Sequence, residues 1–259
     1  MKAVILAGGT GSRLAEETAL RPKPMVEIGG RPILWHIMKI YAAQGIEQFV
    51  ICAGYKGYVI KEYFANYRLH SSDVTFDLGA GTIELAGTPR ERWQVSVIDT
   101  GERTQTGGRL RRVLPLIGEQ DFCFTYGDGL ADIDLAALIA CHRREGRIAT
   151  VTAVQPRGRY GAIELEQGRV SAFEEKPRGD GRWVNGGFFV LSPRIGEYLD
   201  CDQTIFEQEP LRRLAAAGEL AAYRHEGFWE AMDTLRDRRH LESLWAGGSP
   251  PWRIWDALP

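Results

Sequence analysis

Lys2-Ala3-Val4-Ile5-Leu6-Ala7-Gly8-Gly9-Thr10-Gly11-Ser12-Arg13-Leu14, near the start of the 259-residue chain, is an unbroken apolar run that gives way to three glycines within four positions. So short a run, closed by glycines, reads as a strand buried on both faces, as in parallel sheets. The strand is expected to end at Ala7. The glycines then let backbone N–H groups approach a phosphate, while Ser12 and Arg13 add a hydroxyl and a fixed positive charge.

The rest of the chain continues the rhythm. Pro32 opens a segment in which Ile33, Ile37 and Ile40 recur at helical spacing, flanked by Leu34, Met38 and Tyr41 and stopped by Gly45, which predicts a core-facing helix. Residues 49–52 read as a second buried strand, 58–67 as a second helix, and 122–126 as another strand followed by a helix that Asp134 caps. Strands alternating with helices imply a right-handed, parallel α/β sheet. Residues 68–94, with Gly79, Gly81 and Gly87, break the pattern and read as an excursion from the sheet. From Ala149 onward strands dominate, at 150–154, 162–165, 170–173 and 187–191, and helices return at 210–217 and 234–245. With no repeat and no long linker, the expectation is one domain over 1–259 whose two halves divide near residue 148.

Composition excludes several functions. Hydrophobic residues at 44% and charged residues at 25% are ordinary globular values, which rules out disordered, collagen-like and coiled-coil classes. Lys plus Arg number 32 against 34 Asp plus Glu, so there is no bulk positive field for a nucleic-acid partner and any anion is bound locally. Cys52, Cys123, Cys141 and Cys201 form no C-x-x-C pair, which fits a reducing compartment. With no apolar run of membrane-spanning length and no signal-peptide pattern at Met1–Gly9, the expectation is a cytoplasmic protein with no membrane partner.

The glycine turn admits three bland readings. Gly9-x-Gly11-x-x-Leu14 lacks the third glycine of a dinucleotide fingerprint, although Glu27 lies near the expected acidic position. A P-loop needs Gly-Lys-Ser/Thr, and here Ser12-Arg13 follows Gly11. A plain strand-to-helix turn stays open, but such a turn rarely needs three glycines. Arg21-Pro22-Lys23-Pro24 holds a lysine on a nearly immobile backbone. Alone it reads as an exposed loop lysine; with Arg13 around the same turn it points to a polyphosphate site.

Leu6 to Leu14 followed by Arg21-Pro22-Lys23-Pro24-Met25 resembles the signature of sugar-1-phosphate nucleotidylyltransferases, with Ser12 where that family usually carries Thr. Gly54-Tyr55-Lys56-Gly57, Ile60-Lys61-Glu62-Tyr63-Phe64, Thr106-Gly107-Gly108-Arg109, Thr125-Tyr126-Gly127-Asp128-Gly129, Asn185-Gly186-Gly187-Phe188-Phe189 and Met232-Asp233-Thr234 resemble the branch of that family using CTP and glucose 1-phosphate. The resemblance spans essentially the whole chain. It implies an α/β fold, a Rossmann-like mostly parallel sheet flanked by helices with a sheet-rich C-terminal part, and a homo-oligomer.

It further implies a Mg²⁺-dependent in-line attack of a sugar phosphate on the α-phosphorus of a nucleoside triphosphate, chemistry that rests on positioning and charge neutralisation. By the same resemblance, Leu6, Ala7, Gly8, Gly9, Gly11, Ser12, Arg13, Lys23, Thr106, Arg109 and Gly127 bind the nucleotide, and Arg13 and Lys23 are catalytic. Asp128 and Asp233 hold the metal, while Lys176, Asn185 and Gly186 meet the sugar phosphate. Several of these residues have plainer readings: Asp128 as a turn residue, Asp233 and Thr234 as a helix cap, Lys176 as a solvated lysine, and Asn185-Gly186 as a hairpin turn. UTP or dTTP in place of CTP, and a non-catalytic nucleotide-sugar-binding regulator, remain as alternatives. The five histidines lack metal-ligand spacing and read as structural, and Trp245, Trp252 and Trp255 read as anchors of the tail.

Overall fold

The computed structural model describes residues 1–9, 11, 14–87, 91–156, 162–166, 168–174 and 182–256. Its centre is a seven-stranded sheet whose strands, numbered along the chain, are β1 (Lys2–Ala7), β2 (Gln48–Ala53), β3 (Gln94–Asp99), β4 (Phe122–Tyr126), β5 (Ala149–Val154), β6 (Val184–Leu191) and β7 (Leu220–His225). They lie in the order β7-β5-β6-β4-β1-β2-β3. β1 pairs in parallel with β2 and β4, β2 with β3, and β5 with β7; β6 runs antiparallel to both β4 and β5. The fold is the α/β arrangement expected, with strands from both halves of the chain in one sheet.

Alternation along β1 explains why the run at residues 3–7 is apolar throughout. Ala3, Ile5 and Ala7 face one core, together with Ile33, Ile37 and Ile40 of helix α1 (Ile33–Ala42). Val4 and Leu6 face the other, where Leu110 and Val113 pack. Those two residues belong to a helix over Thr106–Ile117 that sequence pattern did not announce, because Gly107-Gly108 and Pro115 are poor helix formers. Tertiary contact overrides propensity there: a Cβ on Gly108 would come within 2.4 Å of the Asp202 carbonyl oxygen, so only glycine admits the loop that crosses the helix start.

Other expectations hold or shift in detail. Residues 57–65 are helical, and Asp134 caps the helix Leu135–Glu145 by accepting from the Ala137 amide. The excursion is a helical turn over Tyr67–Ser71 and an exposed hairpin, Asp73–Asp77 against Thr82–Ala86, after which β3 forms the sheet edge. Asn185-Gly186 is not a hairpin turn. It lies inside β6, where the register shifts between Val151 and Ala153 of β5 and Gly187 takes φ of +78° with the Tyr126 ring against it. Among the described residues no helix is long and apolar enough to cross a membrane.

The tail tryptophans close over the core. Trp252 is fully buried, and with Trp35, Trp245 and Trp255 it surrounds the ring of His36 at centroid distances of 4.8–6.2 Å. His36 Nε2 lies 2.8 Å from the Ile28 carbonyl oxygen and its Nδ1 accepts from Trp252 Nε1 at 3.4 Å, an arrangement that suits a neutral ring. Burial pushes its pKa down to about 4. The folded state therefore binds fewer protons than the unfolded chain below pH 6.5, and stability that is full above that pH is lost as the pH falls towards 4. The loss should total about 3 kcal/mol. Urea midpoints measured between pH 7 and pH 4.5 should fall further for the wild type than for His36→Gln; equal falls would remove His36 as the carrier.

Candidate functional site

β1 and β4 are parallel neighbours in register, Leu6 beside Tyr126, so the loops leaving their carboxyl ends emerge side by side. A cleft of about 400 Å³ opens there. Its walls are Leu6, Ala7, Gly8, Gly9 and Gly11 on one side, and Tyr126, Gly127 and Asp128 on another, with Lys23, Pro24, Thr104, Gln105, Thr106, Arg109, Glu207 and Asp233 completing it. Gly127 is glycine for a backbone reason: a Cβ would lie 2.3 Å from the Leu6 carbonyl oxygen. Gly9 differs, since among the described residues no atom beyond its chain neighbours lies within 4 Å of where its Cβ would be. No described neighbour requires glycine at that position of the cleft wall.

Asp128 and Asp233 meet through a short antiparallel ribbon, Gly129–Ala131 with Trp229–Ala231, and the Met232 amide donates to the Asp128 carbonyl oxygen at 2.8 Å. The capping question at residue 234 is settled by geometry. Thr234 and Asp237 form a reciprocal capping box on the helix Leu235–Ala246, and Asp237 also accepts from the Asp233 amide. The Asp233 side chain is thus not the cap, and it points to Lys23.

Lys23 begins a short 3₁₀ turn, Lys23–Met25, between two prolines. Its Nζ donates to Asp128 Oδ2 at 2.6 Å and to Asp233 Oδ1 at 2.8 Å, bridging segments 105 and 210 residues away in the chain. The lysine side chain is only 12% exposed. Burial alone would lower its pKa, but the two carboxylates outweigh that and raise it above the ordinary lysine value. The lysine is therefore fully charged, and not the solvated loop residue that its motif alone suggests.

Arg109 lines the cleft with both terminal nitrogens already engaged. Its Nη1 donates to the carbonyl oxygens of Ala53 (3.2 Å) and Gly101 (2.7 Å) and to Thr100 Oγ1 (2.7 Å); its Nη2 donates to the carbonyl oxygens of Gly8 (2.9 Å) and Glu102 (3.1 Å). One buried guanidinium thus ties together the chain ends leaving β1, β2 and β3. A Cβ on Gly8 or Gly54 would lie 2.1 or 2.4 Å from Arg109 Nη1, so these two glycines are set by the arginine.

Thr106 Oγ1 donates to Glu207 Oε2 at 2.6 Å and accepts from the Phe206 amide, joining the helix start to the loop before residue 209. Asn185 Nδ2 donates to the Tyr126 hydroxyl at 3.1 Å, and the Asn185 Oδ1 accepts from the Gly187 amide. Burial and the nearby Glu207 carboxylate raise the Tyr126 pKa, keeping its hydroxyl protonated. Glu207, Thr104 and Gln105 carry no sequence signal; they reach the cleft only because their loops cross the sheet edge. Asp132 is not among the residues that line the cleft, and it pairs with His225 at 3.0 Å. Ser12, Arg13 and Lys176 lie outside the described residues.

Among the described residues no group of three or more His, Cys, Asp or Glu side chains is placed to hold a metal. Asp128 and Asp233, turned on one ammonium, present hard oxygen donors to a common point. That set suits a magnesium ion sharing its sphere with phosphate oxygens and water, not a closed protein cage.

The sequence profile of the nucleotidyl transferase family matches residues 2–237. The chain is 56% identical over 257 residues to glucose-1-phosphate cytidylyltransferase of Salmonella typhi, covering 99% of this chain and all of that protein, and equally identical to the protein of that name from Salmonella typhimurium. Among solved structures it is similar to HddC from Yersinia pseudotuberculosis complexed with GMP-PN, with a TM-score of 0.70 at 23% identity over 94% of this chain and 99% of that one.

Arg109→Met should cost about 3 kcal/mol or more, since it strands several buried carbonyls that one guanidinium now satisfies. Arg109→Lys should recover only part, because a single ammonium cannot replace both Nη2, which serves the Gly8 and Glu102 carbonyls, and Nη1, which serves Ala53, Thr100 and Gly101. Chemical denaturation reads both; wild-type midpoints would show that these loops hold without the arginine.

Proposed function

The chain belongs to the nucleotidyl transferase family, and on that footing we propose that it transfers a cytidylyl group from CTP to α-D-glucose 1-phosphate, giving CDP-glucose and pyrophosphate. A phosphate oxygen of glucose 1-phosphate attacks the α-phosphorus in line. The new P–O bond forms as the bond to the departing pyrophosphate breaks, and the electron pair leaves with it. The nucleophile is already an anion, so no side chain need take a proton from it. What the protein must supply is alignment and neutralisation of charge.

One observation carries the assignment of roles: the Lys23 ammonium lies against both Asp128 and Asp233 in a cleft walled by the glycine turn. Lys23, with Arg13, would hold the triphosphate. The open position at Gly9 supports close approach of a phosphate to the turn, whereas Gly8 and Arg109 shape that turn. Thr106, Gly127 and the Leu6–Ala7 backbone complete the nucleotide side. Lys176, Asn185 and Gly186 are the residues proposed for the sugar phosphate.

Asp128 and Asp233 would hold Mg²⁺, which when bound withdraws charge from the phosphate oxygens and orients them. A regulatory protein that only binds nucleotide sugars has no need of a converging carboxylate pair, and this favours turnover. UTP or dTTP would use the same chemistry. CTP is preferred because of the 56% identity over the full length of the cytidylyltransferases.

Pyrophosphate release with glucose 1-phosphate and Mg²⁺, supplying CTP, UTP, dTTP, ATP and GTP separately, should be fastest with CTP. Preference for another nucleotide would overturn the base, and nucleotide binding without turnover would overturn the activity. Asp128→Asn should lower kcat by about a hundredfold or more with the fold intact, as should Lys23→Ala, the scale of losing one preorganised electrostatic group. Wild-type turnover in a folded variant would remove that residue from the mechanism.

A further inference from the structure

Lys23 occupies a place that two functions contest. Its ammonium is 2.6 Å from Asp128 Oδ2 and 2.8 Å from Asp233 Oδ1, on the very side chains proposed to hold a divalent cation. A doubly charged ion on those oxygens would meet the ammonium at contact distance, where like charges in a partly buried site repel strongly. It would also claim lone pairs that the lysine now uses.

We propose that Lys23 is an exchangeable placeholder: in the protein alone it neutralises Asp128 and Asp233, and when a divalent cation enters, the ammonium leaves them for the phosphate oxygens of the nucleotide. This rests on the reading of Asp128 and Asp233 as the metal pair. The backbone does not take part in the exchange. Lys23 is held between Pro22 and Pro24 in a turn closed by Met25 N to Pro22 O at 2.8 Å and Val26 N to Lys23 O at 3.0 Å. Movement is confined to the flexible four-carbon stem, which lets a lysine serve two anionic sites from one anchor. The destination is at hand, because Lys23 shares the walls of one cleft with Gly8, Gly9 and Gly11.

Two consequences follow from the charges. Asp128 and Asp233 come from distant segments and would repel each other if both stood ionised without a cation between them; the lysine keeps them together. Nucleotide and cation also assist each other's binding, since phosphates that take the ammonium open the carboxylates, and a cation that takes the carboxylates frees the ammonium.

The test uses Mn²⁺ alone as probe, with its binding read from the free-ion electron paramagnetic resonance signal and no nucleotide or turnover involved. Lys23→Met should bind Mn²⁺ about tenfold more tightly than the wild type, or better. The gain should vanish in Lys23→Met/Asp128→Asn. In the wild type, reductive methylation of Lys23 followed by mass spectrometry should be slow in the protein alone and several-fold faster with millimolar Mn²⁺. Equal Mn²⁺ affinity in a folded Lys23→Met protein, or unchanged Lys23 labelling, overturns the exchange while leaving the metal pair standing. A gain that survives Asp128→Asn places the cation elsewhere and overturns the reading of the pair itself. Should Lys23→Met not fold, the labelling of the wild type decides alone.

Discussion

β1 is hydrogen-bonded along both edges to parallel strands and buried on both faces, and the working parts of this protein take their positions from it. Parallel pairing sends the carboxyl ends of β1, β2 and β4 to the same edge of the sheet. Polar backbone at that edge must find partners, and the apolar faces leave none to offer. The solution here is a single guanidinium. Arg109 reaches the carbonyls that follow β1, β2 and β3, so one side chain both satisfies the edge and fixes the curvature of the glycine turn.

Charge organises the other wall. Three segments far apart in the chain, at Lys23, Asp128 and Asp233, converge with two carboxylates on one ammonium. Such a cluster adds little stability for its size, because removing charged groups from water offsets much of their attraction. Its value lies in register. The ribbon Gly129–Ala131 with Trp229–Ala231 and the capping box at Thr234, which is closed by Asp237, bring the two aspartates to one ammonium. The same ribbon explains why the aspartates lie together though separated by most of the second half of the chain.

The glycines divide into kinds that look alike in sequence. Gly8 and Gly54 make room for Arg109, Gly127 for the Leu6 backbone, and Gly187 for the Tyr126 ring, while Gly9 borders open cleft. Only the last has the character first ascribed to the whole turn. Dense glycine near a strand end therefore marks a wall of the cleft for mixed reasons, most of them internal packing.

Much of the fold was legible in the chain, because burial on two faces demands continuous apolar runs and amphipathic helices demand their own spacing; β1, β2, β4, α1 and the Asp134 cap all follow from such local rules. The glycine turn, the lysine between prolines and the two aspartates were legible as a set through the resemblance to nucleotidylyltransferases. What the tertiary structure alone decided depends on groups remote in sequence. The helix over Thr106–Ile117 forms against its own propensity because a neighbouring core and the loop at Asp202 require it. Asn185-Gly186 continues a strand because β5 pairs with it, Ala153 opposite Asn185, across a shift in register. Arg109 became the clip of the sheet edge, and Lys23 the bridge between carboxylates, because hydrogen-bond partners are chosen by distance in space, which composition and periodicity along the chain do not encode.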